Sequence, residues 1–187
     1  MGNEIEAKAR CGDLDAVRAT LRALGARLAK SGFEHNVLFD TPDGSLQAAD
    51  SLLRLRKFDK TVITYKGPRA ERKPVKSRLE LEVEVSDFDT AAAIFEGLGF
   101  RRAWTYQKRR EEWTFRGAKI CLDEVPDIGG FVEVEGGAEG EVVAVLGELG
   151  ISMSDVTPQT YVEIWKEHTR YSGGRLEDMV FHDKEAR

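Results

Sequence analysis

Hydrophobic and charged residues alternate one by one in several segments of this chain of 187 residues. In the longest segment, Arg78–Val85, every second residue is charged and the residues between are aliphatic. Successive side chains of a β-strand point to opposite faces, so each segment predicts a strand with one apolar face and one charged face. Strict alternation of this kind is typical of antiparallel sheets. Shorter segments with the same pattern are 4–9, 53–56, 63–66 and 131–135.

Apolar residues at helical spacing separate these strands. Asp13 and Asp87 are predicted N-caps of two helices, a third helix is predicted over residues 139–149, and a fourth begins with Thr157 as its cap and Pro158 at its first position. About eight strands and three or four helices result. The apolar residues at helical spacing in the first helix are Leu14, Val17, Leu21, Leu24 and Leu28, and Gly25 either ends that helix or interrupts it.

The two-faced strands predict an α+β fold with a charged interior. If the helices cover the apolar faces, the charged faces must line the concave side of the sheet. About eight strands can close into a barrel with room for side chains and one small ligand. We therefore expect an eight-stranded antiparallel β-barrel, or tunnel, with a polar lumen and helices packed on the outside. It is expected to span residues 1–171, and 172–187 form a charged tail for which fraying is the default expectation.

The predicted interior contains about as many carboxylates as cations. An unpaired charge removed from water costs several kcal/mol or shifts its pKa, so mutual ion pairs alone are one interpretation, and the barrel would then be purely structural. The alternative is a ligand. Pairs of glutamates such as Glu133 and Glu135 repel each other unless a cation lies between them. Magnesium prefers carboxylate and phosphate oxygens, and rows of arginine and lysine suit phosphate.

Composition excludes several classes of protein. The net charge of -5 argues against a protein that binds nucleic acid through bulk charge. No apolar run is long enough to cross a bilayer, and no secretory signal precedes Glu4. Cys11 and Cys121 lack the spacing of a zinc site and are expected to be reduced thiols of a cytoplasmic protein, although a structural disulfide is the alternative. The sequence leaves the oligomeric state open, and a homodimer is compatible with it.

An ordered set of charged motifs resembles a known family. Close to its start the chain contains Glu4-Ile5-Glu6-Ala7-Lys8, which has the form E-x-E-x-K. The set resembles the CYTH superfamily, also called the triphosphate tunnel metalloenzymes, over residues 4 to about 165. The run Phe39–Gly44 is similar to the class IV adenylyl cyclase branch. The other motifs are Leu53–Arg56, Thr64–Gly67, Arg78–Glu82, Lys108–Arg110, Leu122–Val125 and Gly130–Glu135.

The resemblance implies roles for individual residues, with Mg²⁺ or Mn²⁺ as cofactor and a small triphosphate as the partner. Glu4, Glu6 and Glu135 would hold one metal ion. A second would be held or oriented by Glu80 or Glu82, Asp123 and Glu133. The implied catalytic residues are Lys8, Glu4 and Glu6. The implied phosphate-binding residues are Lys8, Arg54, Arg56, Lys66, Arg78, Lys108 and Arg110.

The resemblance also implies an activity. It is that of a divalent-metal-dependent enzyme that acts on ATP, inorganic triphosphate or a similar substrate and cleaves a P–O–P linkage, as a class IV adenylyl cyclase does. Relatives of that branch also hydrolyse inorganic, nucleoside or thiamine triphosphate. The short stretch before Glu4 departs from the cyclase type and lowers the expectation of cyclisation. A non-catalytic module that binds polyphosphate or a nucleotide is the further alternative.

The aromatic residues give a weaker signal. Trp104, Trp113 and Trp165 are interpreted as packing residues more readily than as stacking platforms for a base. Tyr161 resembles a residue of the C-terminal segment that lies near the tunnel in the family. The basic loop 69–76 fits a lid and a solvated connector equally well.

Overall fold

The computed structural model describes residues 2–69, 74–172 and 178–182, and side chains within 5–69, 74–75, 78–169 and 178–182. Within these ranges the chain forms nine strands and five α-helices. The strands are β1 Gly2–Cys11, β2 Arg27–Asp40, β3 Leu52–Lys57, β4 Thr61–Lys66, β5 Val75–Val85, β6 Arg101–Phe115, β7 Ala118–Val125, β8 Gly129–Gly136 and β9 Val156–Thr157. The helices are α1 Leu14–Ala23, α2 Ser45–Ala48, α3 Phe88–Gly97, α4 Glu139–Glu148 and α5 Tyr161–Ser172.

All nine strands belong to one antiparallel sheet, in the order β5-β4-β3-β2-β6-β7-β8-β1-β9. The first strand has neighbours on both of its edges. One edge pairs with β8, and the other pairs with β5 along Gly2–Ala7 and with β9 at Lys8–Ala9. The structure thus has one strand more than the eight predicted, because Val156–Thr157 covers the part of β1 that β5 does not reach.

Helices cover the apolar faces of most strands, as predicted for an antiparallel sheet with helices on one side, whereas Leu79, Leu81 and Val83 on the apolar face of β5 are exposed. Helices α1 and α4 lie over β7, β8 and β1, and α3 lies over β2 and β3. Burial of apolar surface contributes roughly 25 cal/mol per Å², so these contacts are the main source of stability. The fully buried side chains at their centres are Leu21, Leu55, Ala92, Ile120, Val132, Val134, Val142 and Leu146.

Both aspartate caps are confirmed, and the first helix ends at Gly25, which is one of the two predicted alternatives. Asp13 accepts the N–H of Ala16, and Asp87 accepts that of Thr90. The first helix ends before Leu28, which lies in β2, because Gly25 has a φ of +76° and reverses the chain there.

Helix α5 begins three residues after the predicted boundary. Thr157 pairs with Lys8 in the sheet, so it is not a helix cap. Thr160 is the cap instead: its hydroxyl accepts the N–H of Glu163, and the Glu163 carboxylate accepts the N–H of Thr160. This reciprocal capping box has the sequence pattern T-x-x-E, which the sequence analysis did not use.

The end of the described chain lies against β6. The side chain of Met179 is fully buried, and its backbone exchanges hydrogen bonds with Thr105 and Gln107. The parts of the predicted tail at 173–177 and 183–187 lie outside the described residues. Cys11 and Cys121 are both free thiols. None of the helices described is long and apolar enough to cross a membrane.

Candidate functional site: a charged central cavity

The charged faces of the strands meet around a central cavity of about 510 Å³. All but two of the residues singled out from the sequence line it. Of the two, Asp123 is fully buried behind the wall, and the side chain of Glu4 lies outside the described residues. Those that line the cavity are Glu6, Lys8, Arg54, Arg56, Lys66, Arg78, Glu80, Glu82, Lys108, Arg110, Glu133 and Glu135.

Asp123 holds two cations of β6 in place. Arg110 lies directly opposite it in the β6–β7 register and donates two hydrogen bonds to it, at 2.6 and 2.5 Å. Lys108 donates a third at 3.0 Å, and the hydroxyl of Tyr161 on α5 donates a fourth at 2.7 Å. Because two oxygens receive four bonds, this buried carboxylate is well compensated, and it fixes the direction in which Arg110 and Lys108 point.

Tyr161 stays protonated in this position. Burial, together with the negative charges of Asp123 and Glu133, raises the pKa of its hydroxyl well above the usual range. Its ring lies beneath the ammonium group of Lys8, with 3.8 Å from Nζ to the ring centroid. Tyr161 therefore joins α5 to the first strand and to the cations of β6, in agreement with its predicted position near the cavity.

Glu133 is the second anionic centre of the wall. It accepts a bond from Lys8 at 3.0 Å across the β1–β8 register, and Arg110 also contacts it. Burial alone would raise the pKa of Glu133, but the charges of Lys8 and Arg110 outweigh it and hold the pKa well below the usual range. This carboxylate is therefore ionised at neutral pH.

The opposite wall, formed by β3, β4 and β5, has looser pairs. Lys66 contacts Glu80 at 3.1 Å. Glu82 accepts the hydroxyl hydrogen of Thr64 at 2.8 Å and lies 3.5 Å from Arg56 and 3.8 Å from Arg54. Three arginines keep donor capacity on this side, because a buried Nε has no hydrogen-bond partner within the protein in each of Arg54, Arg56 and Arg78. Unused buried donors are rare and favour an anionic ligand.

Glu34 is a fully buried carboxylate of the network that was not predicted from the sequence. It is fully buried on β2, 3.3 Å from Lys108, about 4 Å from Arg56 and Arg110, and accepts a bond from Asn36 at 2.9 Å. Burial would raise its pKa, but the surrounding cations lower it well below the usual range. Alternation contained the signal, because Glu34 and Asn36 share the face opposite to the buried Val37.

Two further residues that line the cavity were not among the predicted site residues. Lys119 lies opposite Glu135 in the β7–β8 register and pairs with it. Cys121, the next inward residue of β7, lines the cavity, and burial raises the pKa of its thiol to about 12. The thiol is thus protonated at neutral pH.

The carboxylates are distributed rather than clustered. Within the described side chains, no group of three His, Cys, Asp or Glu residues is assembled around a common point. Glu80 and Glu82 pair with cations of β3 and β4, whereas Asp123 and Glu133 pair with cations of β6 and β1, so the structure does not bring the predicted second metal set together. Glu6 and Glu135 lie directly opposite each other in the β1–β8 register.

Glu6 and Glu135 are the described side chains of the predicted first metal set that the structure places side by side. Directly opposed like charges on neighbouring strands repel each other, and Lys119 compensates one of these two by pairing with Glu135. Carboxylate oxygens are the ligands that Mg²⁺ and Mn²⁺ prefer. Glu4 lies two residues before Glu6 on the same strand, and the three glutamates are the residues that would hold the predicted first metal ion.

In addition to the order of strands and the charged cavity wall, the sequence itself matches a known domain family. The CYTH domain family matches this chain over residues 2–161. The chain belongs to the CYTH family. The charged motifs found along the sequence are thus part of a CYTH domain, which covers all nine strands and ends at the first residue of α5.

Named relatives of this CYTH domain include adenylate cyclases. A provisionally named adenylate cyclase of Methanocaldococcus jannaschii is 29% identical over 171 residues, which are 86% of this chain and 97% of that protein. The adenylate cyclase CyaB of Aeromonas hydrophila is 31% identical over 135 residues, 70% of this chain and 67% of that protein. The X-ray structure of a provisionally named adenylate cyclase from Vibrio parahaemolyticus has the same fold, with a TM-score of 0.79, 20% identity, and coverage of 89% of this chain and 99% of that one.

Proposed function

We propose that this CYTH domain is a divalent-metal-dependent enzyme that binds a triphosphate in the central cavity and cleaves one of its P–O–P linkages. The observation that carries the proposal is the convergence of cations from β1, β3, β4, β5 and β6 on one cavity, three of them with unused buried donors. Family membership supports it, since the ordered motifs are those that the resemblance associates with triphosphate binding.

The barrel closure belongs to this proposal. We take the pairing of β1 with both β8 and β5 as the seam of an eight-stranded tunnel around the triphosphate. A closed wall excludes water and strengthens each contact between cation and phosphate. Such contacts align the reacting atoms and neutralise charge, which is most of what phosphoryl chemistry requires of a protein.

Different residues of the cavity wall have different proposed roles. Arg54, Arg56 and Arg78 would bind phosphate oxygens from the β3–β5 side, while Lys108 and Arg110 would bind them from β6, held in direction by Asp123 and Glu34. Lys8 would contact phosphate beside Glu133. Glu4, Glu6 and Glu135 would hold Mg²⁺ or Mn²⁺, which neutralises charge on the triphosphate and lowers the pKa of a bound oxygen nucleophile.

Two reactions use this arrangement. In cyclisation the 3′-hydroxyl of ATP attacks the α-phosphorus, the bond from that phosphorus to the bridging oxygen breaks, and pyrophosphate leaves with its electron pair. In hydrolysis a water oxygen attacks the terminal phosphorus instead, the bond from that phosphorus to its bridging oxygen breaks, and orthophosphate forms while the diphosphate leaves with the electron pair. In both reactions the proton of the nucleophile passes to solvent. The names of the relatives at 29% and 31% identity favour cyclisation, and hydrolysis is the alternative.

The decisive experiment is product analysis. ATP, inorganic triphosphate and thiamine triphosphate are each incubated with the protein and several concentrations of Mg²⁺ or Mn²⁺, and the products are separated by chromatography. Cyclic AMP with pyrophosphate identifies a cyclase, whereas orthophosphate with a diphosphate identifies a hydrolase. Absence of turnover for every triphosphate, with binding retained in calorimetry, would instead indicate a binding module. Absence of binding as well would indicate a structural ion-pair network.

A matched pair of variants tests the metal residues. Glu135→Gln removes the negative charge of the side chain that lies opposite Glu6. The variant is expected to lose metal-dependent turnover while the fold survives. Glu139→Gln, on the exposed first turn of α4, makes the same chemical change away from the cavity and should be silent. Activity of Glu135→Gln equal to that of the wild type at every metal concentration would contradict the assignment.

A further inference from the structure

Arg69 joins three segments that lie apart along the chain. It follows the end of β4 by three residues, and its side chain is only 4% exposed. Its Nε donates to the two oxygens of Asp50, at 3.1 and 2.9 Å, and its backbone N–H donates to the same carboxylate at 3.1 Å. The other guanidinium nitrogens reach Glu163 of α5 at 3.3 and 3.4 Å and the carbonyl oxygen of Pro158 at 3.3 Å. One side chain thus connects β4, the turn after α2 and the start of α5.

The link between Arg69 and α5 is made by charged groups. The hydrogen bond to Asp50, and with it the bond to Glu163, raises the pKa of the Arg69 guanidinium above its usual range. Burial would raise the pKa of Glu163, but the N–H of Thr160 and the guanidinium of Arg69 lower it. Hydrogen bonds between ionised groups are roughly twice as strong as those between neutral groups. At neutral pH the link is therefore charge-assisted on both sides.

The Glu163 carboxylate has two roles at the same place. It caps α5 by accepting the N–H of Thr160 at 2.7 Å, and it also receives the guanidinium of Arg69. Tyr161, the first residue of the helix, lies between the two capping residues. The orientation of the first turn of α5 is therefore set by a bond from the end of β4 as well as by the packing of the helix.

Tyr161 carries this orientation into the central cavity. Its hydroxyl donates to Asp123 at 2.7 Å, and its ring centroid lies 3.8 Å from Nζ of Lys8 and 5.2 Å from Nζ of Lys108. Hydrogen bonds weaken steeply with distance and angle, so a small rotation of the first turn of α5 would loosen these contacts. Lys8 and Lys108 are both proposed phosphate-binding residues, and each would lose a group that fixes its direction.

We propose that Arg69 is a positioning residue for triphosphate binding, which holds the first turn of α5 so that Tyr161 keeps Lys8 and Lys108 directed into the central cavity. The inference rests on the proposed function and adds to it a residue that acts through another. Arg69 is the first residue of the basic loop 69–76, for which a lid and a solvated connector were the predicted alternatives. At Arg69 the chain is not a solvated connector, because the side chain is almost fully buried, and residues 70–73 lie outside the described part of the chain.

Isothermal titration calorimetry with inorganic triphosphate in EDTA tests the cation contacts without turnover. In Arg69→Gln the Kd should rise by about fivefold, which lies within the range of measured couplings between neighbouring residues. Glu163→Gln keeps an oxygen for the helix cap but loses the charge, so it should raise the Kd by a similar factor. Both changes break the same link, and the double variant should bind less than about twofold more weakly than either single variant. Arg69→Lys keeps the positive charge without the planar fork, and its loss of affinity should be smaller than that of Arg69→Gln.

A double-mutant cycle with Tyr161 separates positioning from a general loosening of the fold. Tyr161→Leu removes the group through which Arg69 acts, so the addition of Arg69→Gln should change the Kd less than about twofold. Tyr161→Phe removes the hydroxyl and keeps the ring. It replaces Tyr161→Leu if that variant does not fold, and the effect of Arg69→Gln should then be smaller than in the wild type.

Arg18→Gln is the matched control for the loss of an arginine that joins two elements. Arg18 of α1 donates from Nε to both oxygens of Glu111 on β6, at 2.9 and 3.1 Å, and neither residue lines the central cavity. The stability of Arg18→Gln in urea should fall, as it should in Arg69→Gln. Its Kd for inorganic triphosphate should equal that of the wild type.

Each outcome decides between the positioning role and the proposed function. Unchanged affinity in Arg69→Gln, an equal loss of affinity in Arg18→Gln, or an undiminished effect of Arg69→Gln in the Tyr161→Leu background overturns the positioning role and leaves the proposed function intact. Equal losses in Arg69→Lys and Arg69→Gln overturn the link through charge. Absence of binding by the wild type, both in EDTA and with Mg²⁺, overturns the proposed function together with the inference.

Discussion

The two faces of the same strands bury opposite kinds of side chain. On β7, Ile120 points outward and Asp123 points inward, and both are 0% exposed. The outward residue packs among the apolar side chains below α4, whereas the inward one receives four hydrogen bonds from two cations and a phenol. In most antiparallel sheets the polar face meets water, but here it meets other charges.

This comparison separates stability from function. On the outer face, the free energy gained from apolar contacts does not depend on direction and grows with the buried area, so each contact stabilises the fold by itself. Inward ion pairs must first offset the loss of hydration, so a complete pair contributes little, while an incomplete pair is costly. Under the proposed function, the inner face binds the ligand and the outer face supplies the stability that keeps the cavity in shape.

Arg110→Gln should produce the largest change, because it leaves Asp123 and Glu133 without their shared cation. Breaking a buried pair by removing one partner lowers the free energy of unfolding by about 3–5 kcal/mol, measured by urea denaturation. Arg116→Gln, at an exposed pair with Glu148, is the matched control and should change little. Equal losses of unfolding free energy in the two variants would mean that the buried ion pairs of the inner face contribute no more to stability than an exposed pair.

Leu146→Ala tests the outer face. This fully buried residue of α4 packs in the cluster under the helix, and the cavity left behind should lower the free energy of unfolding by about 2–5 kcal/mol. The affinity for inorganic triphosphate, measured by calorimetry well below the unfolding temperature, should not change. A large loss of affinity would show that the two faces are not independent.

Arg56→Ala tests on the inner face whether ligand binding can be lost without a loss of stability. Glu82 keeps its bond from Thr64 and is half-exposed, and the buried Glu34 keeps the nearer cation of Lys108 at 3.3 Å, so stability should fall only slightly. Loss of a charge-assisted contact with phosphate should raise the Kd for inorganic triphosphate by about 10-fold. An unchanged KM for every active substrate would count against contact between Arg56 and phosphate.

The smallest expected effect is the change with pH in the difference between the unfolding free energies of the wild type and a variant. Glu34 and Glu133 have pKa values lowered in the folded protein, so their contribution is present above the unfolded glutamate value of about 4.3 and is lost as the pH falls toward the folded values. The difference in unfolding free energy between wild type and Glu34→Gln should thus be greatest at pH 7 and shrink below about pH 4. For Leu146→Ala the difference should be constant over that range.

Much of the fold was predictable because alternation and helical spacing are local signals. The Asp13 and Asp87 caps and the antiparallel sheet with helices on its apolar face are confirmed. Of the two predicted alternatives at Gly25, the structure shows that the first helix ends there, so Leu28 lies in β2. The predicted cap at Thr157 was wrong because that residue pairs with β1, and a distant strand thus overrode the local Thr-Pro signal.

The site was predictable as a set of residues and not as a set of pairs. Alternation placed Lys108, Arg110 and Asp123 on inward faces, and the structure confirms that placement. Glu34 was missed because a single carboxylate before Asn36 looks like a polar surface position when the strand is considered alone. Its contact with Lys108 joins residues 74 positions apart.

By itself the sequence determined which side chains face inward, because a strand exposes alternate residues on opposite sides whatever its neighbours are. Only the tertiary structure decided which carboxylate meets which cation. That choice depends on the register of strands that are distant along the chain, and ion pairs and hydrogen bonds weaken steeply over the few ångströms by which a shifted register would move them.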